Sequence, residues 1–127
     1  SAVKLDRVRN ACGGFRIIRK DGRNICPDNS LNPRSAVGIS EDGRYLYLLV
    51  IDGRQTDFSL GAKQKEVADW LIKLGAYSGL NLDGGGSSSL VVEEDGKARI
   101  LNSPIHLGKP GRERPCPNHL GVFAGRK

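Results

Sequence analysis

The stretch LNLDGGGSSSLVV, residues 80–92, decides how the rest of the chain is read. A short apolar run ends at Asp83, three glycines follow, then Ser87, Ser88 and Ser89, and Leu90, Val91 and Val92 resume the apolar pattern. The pattern predicts strand, loop, strand. Three adjacent glycines cost more backbone entropy than any other triplet and add nothing to a core. Their use is close approach: without Cβ atoms, a ligand or another segment can lie against the peptide groups, and successive N–H donors can converge on an anion. A glycine-rich turn with solvated serines is the plainer reading. The carboxylate on one side, the hydroxyls on the other and the apolar runs that pin both ends favour a binding loop on a rigid scaffold.

Working outward, residues 62–74 carry Val67, Leu71 and Leu74 at helical spacing, with Ala68 and Ile72 beside them, lysines and acids on the other faces, and Gly75 as the stop. Trp70 falls off that stripe and reads as a flank contact. Upstream, residues 36–40 and 45–51 are apolar runs joined by Glu41-Asp42-Gly43, a hairpin. The second run lacks alternation, which predicts burial on both faces near the sheet centre. It ends at Asp52-Gly53-Arg54. A helix between strands ending at Asp52 and Asp83 predicts a crossover that brings both carboxylates to one sheet edge if the strands are parallel neighbours. Residues 15–19 read as a further strand, Asp21-Gly22 as a turn and residues 23–32 as loop. Residues 90–92 and 98–101 form a second hairpin, residues 102–117 a long irregular segment, and residues 120–124 a last strand. The fold class is α+β, a mixed β-sheet with one main crossover helix.

The 127 residues suit one domain with a moderate core, and a mean hydropathy of -0.39 describes a globular, water-facing chain. No apolar run approaches the roughly 20 residues of a membrane helix, and Ser1 opens into charged sequence rather than a leader peptide. A net charge of +6 favours anionic partners. Nucleic acid ranks below a phosphorylated small molecule, because the seven aromatic residues do not interleave with the basic ones. Cys12, Cys26 and Cys116 contain no CxxC pair and imply no zinc site; no metal or cofactor is expected. Cys26 and Cys116 both flank prolines in loops, a pairing that an oxidising compartment would permit.

NPRSAVGI, YLLVIDGRQ, VADWLIKLGA, LNLDGGGSSSLVV and the ERP and NHLGV segments, in this order and spacing, resemble the phosphodiester glycosidase family. The resemblance runs from about Cys12 to Ala124 and corresponds to the C-terminal part of the family domain. The preceding half, with its Asn-Gly-Gly-aromatic-Phe type motif, has no counterpart here. The resemblance implies hydrolysis of a sugar-1-phosphodiester, of the N-acetylglucosaminyl type or in an exopolysaccharide. It makes Asp83 the catalytic carboxylate, as base for water or as nucleophile, with Asp52 as its partner. Arg34, Arg54 and Arg114 would bind phosphate, Gly84, Gly85 and Gly86 would offer backbone donors, and Ser87, Ser88 and Asn118 polar contacts. His106 and His119 are available acid–base groups, although a solvated or packed histidine is commoner. An extracellular or periplasmic location follows from the same resemblance.

Two other function classes stay open: a non-catalytic module that binds phosphorylated glycans, and nucleic-acid binding, which predicts steep salt dependence. The absent half implies a partner chain supplying it, or self-association through an unpaired sheet edge.

Overall fold

A computed structural model describes residues 8–26, 30–123 and 125. The charged stretch at residues 1–7, Pro27, Ala124 and the basic tail at Arg126 and Lys127 lie outside the described residues. The chain runs β1 (Arg16–Lys20), β2 (Arg23–Asn24), β3 (Arg34–Ile39), β4 (Leu46–Ile51), α1 (Gln64–Leu74), β5 (Ser78–Asn81), β6 (Val91–Glu94), β7 (Lys97–Ile100), β8 (Ile105–His106) and β9 (Lys109–Pro110). The class is α+β, as expected. The central sheet has the order β2-β1-β5-β3-β4, and β6-β7 and β8-β9 are separate two-stranded ribbons.

The expected mixed sheet is corrected: each ladder among the described residues is antiparallel. The strands before and after α1, β4 and β5, do run parallel, but β3 lies between them and pairs with both. Their C-terminal ends still leave the sheet on the same side, so Asp52 and Asp83 emerge at one end. The expectation of a doubly buried β4 is also corrected, since β4 is an edge strand with Leu46 and Leu48 exposed. Residues 23–24 and the pair β8-β9 are strands inside segments read as loop, and no strand forms among the described part of residues 120–124.

α1 starts where the Glu66 carboxylate accepts the Lys63 N–H at 2.7 Å. It stops at Gly75, whose φ of 99° is left-handed, while the Ala76 N–H donates to the Leu71 carbonyl at 2.8 Å. Gln64, Val67, Ala68 and Leu71 face the sheet. Leu74, placed on the stripe by spacing, is 47% exposed, and Trp70 lies outside with Lys73 Nζ 4.7 Å above its ring. Two cross-strand glycines open a socket for Leu71. Gly38 pairs with Gly79, and a Cβ on either would sit 3.1 or 2.7 Å from a Leu71 methyl. The core is therefore compact and small: Ile18, Val67 and Leu71 are its large members, filled in by Ala36, Ala62, Ala68 and Ala76.

Candidate functional site

Three backbone segments cross almost in contact at the end of the sheet where β4 and β5 leave it. A Cβ on Gly53 would lie 2.7 Å from Pro33 N and from Gly61 Cα, and one on Gly61 would lie 2.5 Å from the Asn32 carbonyl. The glycine loop docks on this crossing. The Leu82 N–H donates to the Ser35 carbonyl at 2.9 Å and the Gly85 N–H to the Pro33 carbonyl at 3.0 Å. Gly85–Ser87 then forms one tight 3-10 turn. At the exit, Asn102 Nδ2 donates to the Ser88 carbonyl at 2.9 Å, and Asn102 Oδ1 accepts the Leu90 N–H at 2.8 Å. Both ends of the loop are thus tied to neighbouring elements.

Asp83 sits at the mouth of this loop, half-buried. Its Oδ1 accepts the Gly84 N–H at 2.9 Å; its Oδ2 accepts the Ser87 hydroxyl at 2.6 Å and Arg114 Nη2 at 2.8 Å. Arg114 Nη2 also reaches Ser87 Oγ at 3.0 Å, and the Arg114 backbone N–H donates to the Gly86 carbonyl at 3.1 Å. Burial pushes the Asp83 carboxyl up, but the Ser87 hydroxyl, the Gly84 N–H and the Arg114 charge together outweigh it and hold the group below the usual carboxylate value. Asp83 is therefore ionised at neutral pH.

A lowered folded-state pKa contributes stability above the unfolded value of about 3.9 and loses it as pH falls through the folded value. The urea midpoint of Asp83→Asn is accordingly expected to lie below that of the parent at pH 7 and to converge with it as the pH falls through the lowered folded-state value. A difference that stays constant from pH 7 to pH 2 would show that the carboxylate charge contributes nothing.

Arg54 occupies the other flank of the loop. Its φ of 58° is left-handed, a conformation that costs a side-chain-bearing residue roughly 1–3 kcal/mol and persists only where surrounding structure imposes it. Gly85, itself at φ 68°, accommodates the guanidinium: a methyl there would lie 3.1 Å from Nη1 and 3.2 Å from Nη2. Nη2 donates to Asn32 Oδ1 at 2.8 Å. Among the described residues, the guanidinium meets no carboxylate. It borders a cavity of about 340 Å³ walled by Arg16, Asn32, Arg34, Gln64, Asn81 and the Gly84-Gly85 backbone. A wider hollow of about 560 Å³ around Tyr77 and the β1-β2 turn lies at the opposite end of β5, far from this loop.

Arg34 is buried, with Nε donating to the Ala62 carbonyl at 2.9 Å and Nη2 to the Ser30 carbonyl at 2.6 Å, so it braces the backbone crossing as well as lining the cavity. Gly86 packs beneath Arg114 and close to His106 Nδ1, bringing that histidine to the loop. Ser88 is 1% exposed and its hydroxyl has no hydrogen-bond partner among the described residues. Asn118 lies beside the segment that leads into β1, its side-chain oxygen 3.8 Å from the Cys12 thiol.

Asp52 lies at the loop exit. Asn102 Nδ2 and the Ser103 N–H donate to its carboxylate at 2.7 and 2.9 Å, making it the strut that positions Asn102 under the loop exit. The Cys26–Cys116 pairing is corrected. Cys26 donates to the Ile18 carbonyl under α1, its thiol pushed up by burial, whereas Cys116 donates to the Asn118 carbonyl. Asn32, Arg16, Gln64, Asn81 and Asn102 were not singled out by sequence reading. Asn81 alone carried a signal, a polar residue at a strand position whose alternation faces inward.

Among the described residues no group of three or more His, Cys, Asp or Glu side chains gathers as a metal site would require. None of the described helices is long and apolar enough to cross a membrane.

The chain resembles known proteins along most of its length. A candidate exported protein from Burkholderia pseudomallei, of solved structure, is 44% identical over 58% of this chain and 13% of its own, with a TM-score of 0.51. A hypothetical protein from Synechocystis is 29% identical over 61% of this chain and 16% of its own, with a TM-score of 0.49. The matched stretch is thus a small fraction of both longer chains. No curated protein matches the sequence. The phosphodiester glycosidase family model matches residues 2–123, and the glycine loop with its flanking Asp83, Arg54 and Arg114 lies within that span: the chain belongs to the phosphodiester glycosidase family.

Proposed function

We propose that this chain carries the phosphate-binding and carboxylate side of a site that hydrolyses a sugar-1-phosphodiester, and that it forms the C-terminal part of a larger domain. The observation that supports this most is Arg54, held over Gly85 in a strained backbone conformation by a neutral partner, with no carboxylate to neutralise it among the described residues. A fixed guanidinium facing bare backbone suits two phosphate oxygens better than any group within the chain. Arg16 and Arg34 on the cavity wall add positive potential.

In the reaction, the bond from the anomeric carbon to the phosphate oxygen breaks and the oxygen of water ends on that carbon, either directly or after a bond to the carboxylate has formed and been hydrolysed, releasing the free sugar and a phosphate monoester. The departing monoester needs little protonation, so charge stabilisation by Arg54 matters more than a strong general acid. Asp83, kept ionised by Ser87, Gly84 and Arg114, faces the positive charge that develops at the sugar, as nucleophile or as base for water. The family and the candidate export of the Burkholderia relative support a site outside the cytoplasm acting on N-acetylglucosaminyl phosphodiesters or exopolysaccharide.

The test is Arg54→Lys, which keeps the charge and removes the fork. The expected result is a rise in KM for a sugar-1-phosphodiester of about 10–100-fold, the loss of one charge-assisted hydrogen bond. An unchanged KM removes Arg54 from the site. A second reading, a binding module without turnover, draws on the complete internal pairing of Asp83; phosphodiester binding with no sugar released in any natural form of the protein would favour it.

A further inference from the structure

α1 covers one face of the central sheet, and the opposite face is apolar as well. Tyr47, Leu49 and Ile51 of β4 pack toward the core, so alternation turns Leu46 and Leu48 away from it. The registers then align Ile17, Leu80, Val37 and Leu48 in one row across four strands, with Ile39 and Leu46 beside it. Ile17, Leu48, Ile39 and Leu46 are 50%, 40%, 44% and 51% exposed. An antiparallel sheet with a solvated face ordinarily carries polar side chains there. These residues cannot rotate inward, because a one-residue slip would expel Ala36, Gly38 and Gly79 from beneath α1. Contiguous apolar surface of this kind marks an interface, and a sheet apolar on both faces is the middle of three layers.

The occupant follows from length. The Burkholderia relative, 44% identical over the matched stretch, devotes only 13% of its chain to it, so ample polypeptide of the same molecule is available to supply a third layer. We propose that the face formed by Ile17, Leu80, Val37 and Leu48 seats an apolar layer of polypeptide from the rest of the family domain. The sheet edge at β4, unpaired on its outer side among the described residues, continues into the same interface.

The test places a thiol on the face with Leu48→Cys and follows maleimide labelling at that peptide by mass spectrometry. In the 127-residue chain alone the thiol is expected to label rapidly at every protein concentration. With the chain substituted for the matching segment of the Burkholderia protein, labelling is expected to slow by about tenfold or more, as for a buried position. Should that chimera not fold, a cysteine at the superimposed position of the Burkholderia protein itself gives the same comparison on an established fold. Equal labelling in the long protein and the isolated chain overturns the proposal. So does protection of the isolated chain that grows with its concentration, which would make a second copy the occupant.

Discussion

Asp83→Asn is expected to lower turnover of a sugar-1-phosphodiester by about 10²–10⁴-fold in the active enzyme, the range that a positioned acid–base or nucleophilic group contributes. The substitution is nearly isosteric. Its side-chain oxygen can still accept the Gly84 N–H, so the loop keeps its entry, while the negative charge that pairs with Arg114, and that we propose faces the sugar, is lost. Circular dichroism and a steady-state assay on both proteins make the comparison. Unchanged turnover with an unchanged fold would reduce Asp83 to a turn-forming residue, and the charge argument for the site would go with it. The half-exposed ion pair to Arg114 is screened by solvent, so it adds less to stability than the Ser87 and Gly84 hydrogen bonds to the same carboxylate.

Leu71→Ala is expected to destabilise the chain by about 2–5 kcal/mol, the cost of a buried leucine whose surroundings cannot collapse. The socket explains why the upper part of that range applies. Gly38 and Gly79 lie beneath the leucine methyls, and neither has a side chain that could move into the vacated space. With a net stability of about 5–15 kcal/mol for ordinary domains, and a core holding only Ile18, Val67 and Leu71 as large members, much of the folded population is at stake. Urea denaturation checks it, with Leu74→Ala as the control. Leu74 is 47% exposed and its truncation is expected to cost less than about 1 kcal/mol. Equal losses at the two positions would mean that the glycine socket does not hold the helix.

Periodicity alone located α1, its glycine stop and the two hairpins, because helix spacing and turn chemistry are local properties carried by adjacent residues. The motif order alone identified the family, and Asp83, Ser87 and Arg114 were picked from those motifs. The structure brings these three within hydrogen-bond distance of one another. What periodicity could not convey was strand order. Continuous apolar character in β4 reads as burial on two faces, yet tertiary pairing puts β4 at the edge and leaves one of its faces open. Nor does any local pattern say that Asp52 accepts hydrogen bonds from Asn102 and Ser103, fifty residues downstream. The helix, the turns and the composition of the glycine loop are determined along the chain; which carboxylate braces the loop and which guanidinium lies across it depends on contacts between residues far apart in sequence, formed only when the backbone crossing at Pro33, Gly53 and Gly61 closes.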